Sequence, residues 1–233
     1  MTTQALIDEA AAAAFKALQA EARARHGGNT QPVLVVYAIE SFLRRLAMSE
    51  YADQMILKGR MLMTANGIRR MTRDADLSTH GVANAEENVR EVVARICALA
   101  PDPHDGAAID PASIKTEVMR EGDEYQGVRC KQVATLGRAQ IPFALDFSFG
   151  DPDRSTPIHL ESIIDRLPIH LKAYPLALNL AEKIVTAMQR RETSTRDRDF
   201  ADLWVTSRLP LATAGALGRP DPRRDRVHRS APR

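Results

Sequence analysis

The stretch QMILKGRMLMTANGIRRMTRDADLS, residues 54–78, decides the fold. Residues 54–57 read as a short apolar strand that ends at Lys58-Gly59. Residues 61–66 read as one or two helical turns, and 69–78 carry a cluster of cations into a second strand holding Asp74 and Asp76. Strand side chains alternate faces, so Asp74 and Asp76 project from one side, roughly 7 Å apart at Cα. Ala75 and Leu77 point the other way, into a core. Two carboxylates that close repel and raise each other's pKa unless a cation intervenes. A divalent ion shared with substrate phosphates is one reason to build such a pair. The other reading is an Asp-x-Asp turn whose side chains bond their own backbone.

Working outward, the chain has 233 residues, enough for one domain or two small ones with a real core. At 44% hydrophobic and 27% charged it has an ordinary globular composition. The net charge of +2 is unevenly placed. Residues 219–233 hold six arginines against Asp221 and Asp225, a net of +4, which leaves −2 for the remainder. A nucleic-acid interest of the body therefore needs a local patch rather than a global field. Cys97 and Cys130 show no metal-binding spacing and are expected as buried, reduced thiols. No apolar run is long enough to span a bilayer, and no signal peptide is evident, so the expected location is the cytoplasm with no membrane partner.

Upstream of the central stretch, 4–25 reads as an alanine-rich helix with Leu6, Ala10, Ala13, Ala14 and Leu18 on its apolar side. A second helix over 31–48 buries Val35, Ile39, Phe42, Leu43 and Leu46, with Arg44 and Arg45 off the stripe. Downstream, 84–99 reads as a helix with Val89, Val92, Val93 and Ile96 inward, and 100–111 as a proline-glycine loop. Three strands follow at 114–120, 127–135 and 142–149, the first two forming a hairpin. In the third, Phe143, Leu145, Phe147 and Phe149 share a face, and Asp146 lies opposite with Ala144 and Ser148. An unpaired carboxylate in so apolar a strand is costly to bury. Asp146 is thus a salt-bridge partner, a residue of an exposed polar face, or a third ligand beside Asp74 and Asp76.

The rest reads as helical: a short helix over 161–167 stopped by Pro168, a longer one over 176–191, and another over 196–207. Lys183 lies beside the apolar stripe of the longer helix, either as a solvated charge or as a ligand contact. In the last helix Asp199 can pair with Arg196. Beyond Leu211 there is no periodicity, and 211–233 reads as a disordered basic tail.

Three separated blocks point one way: LKG…RRMTRDADL (57–77), IPFALDFSFGDP (141–152) and YPLALNLAEKIVTAMQRRETSTRDRDFADLW (174–204). Together they resemble the AbiEii/AbiGii-type nucleotidyltransferase toxins of bacterial abortive-infection and toxin–antitoxin pairs, over about residues 31–208. The resemblance implies an α+β fold, a polymerase-β-like mixed sheet flanked by helices with a C-terminal helical part. It divides the chain into a catalytic core over 1–152, a helical part over 153–210, and the tail. It implies Mg²⁺-dependent transfer of a nucleoside monophosphate from an NTP to an acceptor such as a tRNA 3′ end, and a cognate antitoxin as partner. By motif match, Asp74, Asp76 and Asp146 resemble the metal ligands, Lys183 the lysine that meets the triphosphate, and Asp199 the acidic residue of the last motif; all five are candidate catalytic residues.

The chemistry of the residues agrees with that placement. Phosphoryl-type transfer needs charge neutralisation and in-line positioning. The Lys58-Gly59 turn with Arg60 can present N–H groups and charge to phosphates, as can Arg73. Arg69 and Arg70 offer charge to an RNA backbone. Arg60 departs from the family, whose turn carries a small residue there. Its side chain can point outward and grip phosphate, or fold across the carboxylates. The family also continues with helical sequence where this chain has its arginine-proline tail, so a short helical lobe is expected. An alternative to an active enzyme is a catalytically weak relative that binds nucleotide, RNA or antitoxin.

Overall fold

The computed structural model describes residues 2–65, 71–101, 103–119, 126–164 and 166–190. Two compact units divide between Tyr174 and Pro175. Among the described residues, the first contains an eight-stranded mixed sheet, four α-helices and one 3-10 turn.

Helix α1 (Thr3–Arg25) starts at Thr2, whose hydroxyl accepts from the Ala5 amide, and ends before Gly27 and Gly28. Its buried face is Ala11, Ala14, Leu18 and Ala22. The expected stripe is therefore corrected: Ala14 and Leu18 belong to it, whereas Leu6 is half exposed. An alanine-rich helix has no strong apolar arc, so close approach selects the face. At Gly106, which has φ +80°, a Cβ would lie 2.5 Å from Ala11 Cα, so only glycine lets that loop press on α1.

Helix α2 (Thr30–Ala47) is the core helix, capped by the Asn29 side chain, which accepts from the Gln31 amide. It is buried nearly all round, including the expected Val35, Ile39, Phe42, Leu43 and Leu46. The placing of Arg45 off the buried side is corrected. Arg45 is buried, pairs with Asp105 at 3.2 Å and donates to the Ala107 carbonyl at 2.7 Å. Ser41 donates to the same Asp105 carboxylate at 2.6 Å. Both terminal nitrogens of this buried guanidinium are therefore engaged, which offsets much of its desolvation, while its Nε is buried without a partner.

The strands are β1 (Met55–Lys58), β2 (Asp74–Thr79), β3 (Ala107–Ile109), β4 (Lys115–Met119), β5 (Gly127–Leu136), β6 (Ala139–Phe149), β7 (Thr156–Leu160) and β8 (Ile169–Ala173). Helix α3 (Gly59–Ala65) follows β1, and α4 (Glu86–Cys97) follows β2. The sheet order is β3-β5-β6-β2-β1-β8-β7, with β4 also on β5. Strand β2 is antiparallel to β1 and parallel to β6, and β1 is parallel to β8, so the sheet is mixed. The expected β4–β5 pairing is present, and β5 and β6 form a second, longer hairpin. Cys97 and Cys130 are buried and free, and burial pushes both thiols up to about 12.

Two expectations fail in this unit. The loop 100–111 contains the short strand β3, which pairs with β5. Residues 161–167 do not form a helix among those described; they link β7 to β8. Buried Glu40 of α2 explains this. Its carboxylate accepts from the Ser162 hydroxyl at 2.7 Å and the Ile163 amide at 2.8 Å. Arg44 donates to the Leu167 carbonyl at 2.7 Å. Side chains of α2 thus take up groups that a helix would use internally. With β7 and β8 in the sheet, the sheet continues past residue 152 to Ala173.

In the second unit, α5 (Leu176–Arg190) matches the helix expected over 176–191. Its first amides, of Leu178 and Asn179, donate to the Pro175 carbonyl at 2.9 and 3.1 Å. The expected helix over 196–207 and the tail lie outside the described residues.

Candidate active site

One face of the sheet carries a charged row across five strands. Register places Glu117 of β4 opposite Arg129 of β5, Arg129 opposite Asp146 of β6, Asp146 opposite Asp76 of β2, and Asp76 opposite Lys58 of β1. Directly paired residues share a face, so these five side chains line one ribbon. The alternate positions Ala75, Leu77, Cys130, Leu145 and Phe147 are fully buried behind it. Strand alternation thus brings the three expected carboxylates together: Asp74 and Asp76 on β2, and Asp146 beside them on β6.

The carboxylates have different environments. Asp74 accepts from the Thr72 hydroxyl at 2.7 Å. Asp76 is pushed up to about 6, first by burial and then by the charges of Asp74 and Asp146; Lys58 and Arg60 pull the other way. Asp146 accepts two hydrogen bonds from Arg129, both at 2.6 Å, and a nitrogen of the same guanidinium lies 3.8 Å from Asp74. Those bonds raise the Arg129 pKa, so its charge is permanent. The salt-bridge reading of Asp146 therefore describes this state of the chain.

Gly59 opens the site. Its φ is +65°, and a Cβ there would stand 2.5 Å from the Asp76 Cγ, so the turn passes directly over that carboxylate. Lys58 is in register with Asp76 but donates to Asp151 at 3.0 Å and lies over the Tyr174 ring, 5.5 Å from its centroid. The same Asp151 oxygen accepts from Ser148 at 2.8 Å and Ser78 at 3.1 Å. Burial alone would raise the Asp151 pKa, but the Lys58 charge and these donors hold it below the usual carboxylate range. Arg60 has a buried Nε without a partner, and among the described residues no ion pair joins it to Asp74 or Asp76. Arg73 is exposed, and its carbonyl accepts from the Ala144 amide at 3.2 Å.

Arg69, Arg70 and Asp199 lie outside the described residues, and of Lys183 only the backbone, within α5, is described. Sequence reasoning missed Arg129 and Asp151. The signal for Arg129 was its alternation with Val128 and Cys130; only the register shows that it faces Asp146. Asp151 directly follows Gly150 at the end of β6, where a half-buried cluster of Ser78, Ser148 and Lys58 meets it.

The donor set suits a hard divalent cation, since the face offers carboxylate oxygens and no histidine or cysteine among the row residues. With Asp146 turned to Arg129, no group of three or more His, Cys, Asp or Glu side chains is disposed to hold a metal among the described residues. A separate cavity of about 720 Å³ between α1, α2 and residues 166–170 is lined by Ala17, Arg44, Met48 and Leu167, and none of the expected site residues among those described lines it. No described helix is long and apolar enough to cross a membrane.

The first unit is thus a mixed sheet with helices packed on it and carboxylates on two adjacent strands. The structure of JHP933 from Helicobacter pylori superposes with a TM-score of 0.50 at 16% identity, over 79% of this chain and 72% of that one. A candidate nucleotidyltransferase of Helicobacter pylori matches equally well, over 79% of this chain and 74% of that one, again at 16% identity and a TM-score of 0.50. No curated protein matches. The family model of the nucleotidyl transferase AbiEii toxin, of type IV toxin–antitoxin systems, matches residues 41–224, and the chain belongs to that family.

Proposed function

We propose that this chain transfers a nucleoside monophosphate from an NTP to an acceptor hydroxyl, with a tRNA 3′ end as acceptor and Mg²⁺ as cofactor. The observation that carries the reading is the meeting of Asp74, Asp76 and Asp146 on one face of two parallel neighbouring strands. Asp74, Asp76 and Asp146 would hold the metal, which supplies charge neutralisation at the phosphates when bound. Asp146 accepts the proton of the attacking hydroxyl. The turn at Gly59 lets the triphosphate approach the backbone above Asp76. Lys58, oriented by Asp151, and Arg60 with its unpaired Nε supply positive charge at that turn. Arg73 and Lys183 would meet the nucleotide, Arg69 and Arg70 the RNA backbone, and Asp199 would complete the acidic set. A cognate antitoxin is the expected partner.

The test is incubation of the protein with labelled NTPs, Mg²⁺ and total tRNA. Label is expected in tRNA with the parent chain and lost in Asp74→Asn, Asp76→Asn and Asp146→Asn. Parent-level labelling by all three variants would refute the site. Lys183→Ala is expected to raise KM for NTP and lower kcat. A second reading, a catalytically weak relative that binds nucleotide, RNA or antitoxin, is favoured by the commitment of Asp146 to Arg129. It predicts binding of labelled NTP or tRNA with no transfer.

A further inference from the structure

We propose that Arg129 is a positioning residue that serves as the built-in counter-ion of the carboxylate cluster, so that a divalent cation must displace it from Asp146 to bind. The inference rests on the reading of Asp74, Asp76 and Asp146 as metal ligands. The guanidinium takes both oxygens of Asp146, at 2.6 Å each, and leaves a nitrogen 3.8 Å from Asp74. A planar fork bound in this way takes one lone pair on each Asp146 oxygen, and its charge opposes that of a metal brought to the same carboxylate. A guanidinium does not lose its proton in a protein, so the contact opens by rotation and not by deprotonation.

The strand fixes which cation faces the cluster. Val128 and Cys130 are buried on the opposite side of β5, which holds Arg129 on the site face, directly opposite Asp146. The next cation on that face, Lys131, is engaged by Glu117 at 2.7 Å and is not a substitute. Arg129 and the metal thus draw on the same carboxylate. A cation beside the cluster lowers metal affinity by its charge alone, an effect that a lysine keeps, so the loss of the fork with the charge retained is what isolates displacement.

Mn²⁺ titration of the full chain, read by the electron paramagnetic resonance signal of the free ion, separates these roles. Arg129→Gln is expected to bind Mn²⁺ roughly tenfold more tightly than the parent, about 1.4 kcal/mol. Arg129→Lys keeps the charge but loses the fork, and is expected roughly threefold tighter than the parent. Should the glutamine variant fail to fold, the lysine variant decides by itself. Affinity at or below the parent's in the folded Arg129 variants, with binding abolished in Asp76→Asn, overturns the counter-ion role and leaves the metal site standing. Parent-like Mn²⁺ binding by both Asp74→Asn and Asp76→Asn, or no binding by any of the proteins, overturns the metal site and the role of Arg129 with it.

Discussion

At Asp76, burial and two neighbouring carboxylates raise the pKa to about 6, and this has a stability consequence with a definite sign. A carboxyl whose folded pKa exceeds its unfolded one binds more protons when folded, so its contribution is most favourable below the unfolded pKa and is lost as pH rises through about 6. In chelator, Asp76→Asn removes that penalty. The variant is expected to exceed the parent in urea-unfolding stability by on the order of 2 kcal/mol at about pH 7.5, with the gain vanishing near about pH 4. A gain that stays constant with pH would place its origin outside the Asp76 charge. Gly59 yields an equally local expectation. Gly59→Ala puts a methyl group against the Asp76 carboxylate in a left-handed backbone conformation. Its cost is expected to be about 2–4 kcal/mol of urea-unfolding stability, combining the strain with the displaced side chain. The shared face of Asp74 and Asp76 was legible from alternation alone, because i and i+2 must share a strand face, whereas the place of Asp146 beside them needed the β2–β6 register. Arg129 was not, because the register between β5 and β6 brings together residues 17 positions apart.

Among the elements, those with a strong period or a cap were readable: α2, α4 and α5 agree with their expected bounds to within two residues at each end. Strands β4, β5 and β6 followed from alternation; β7 and β8 alternate as well, with Ile158, Leu160, Ile169, Leu171 and Ala173 buried, but were not read as strands. The apolar spacing of 161–167 imitates a helix, but Glu40 holds Ser162 and Ile163 from a distant element. Tertiary contact overrides local preference there. Glu40→Ala removes two buried hydrogen bonds and is expected to cost about 2–4 kcal/mol. Hydrogen exchange should show amide protection falling first around residues 158–171. Uniform loss across the sheet instead would mean that Glu40 supports α2 rather than the β7–β8 connection.

At the scale of the whole molecule, ligand binding to the folded state raises its stability by mass action. If Mg²⁺ binds the carboxylates, a hundredfold excess over Kd is expected to add about 2.7 kcal/mol. For a chain of this size that is roughly 5–10 °C in Tm, absent in Asp76→Asn. A Tm indifferent to Mg²⁺ and to chelator would argue against cation binding at saturating concentration. The sheet order also has a consequence in time. Strand β2 lies between β1, made just before it, and β6, made about seventy residues after it. A ribosome adding about 5–20 residues per second would leave the free edge of β2 waiting for several seconds. During that interval Asp74 and Asp76 exist but Asp146 does not, so the acidic face is incomplete. An emerging chain of a toxin family thus cannot assemble its full set of carboxylates until β6 has been made and has threaded in beside β2, and the catalysis proposed for this face is barred until synthesis has passed Phe149.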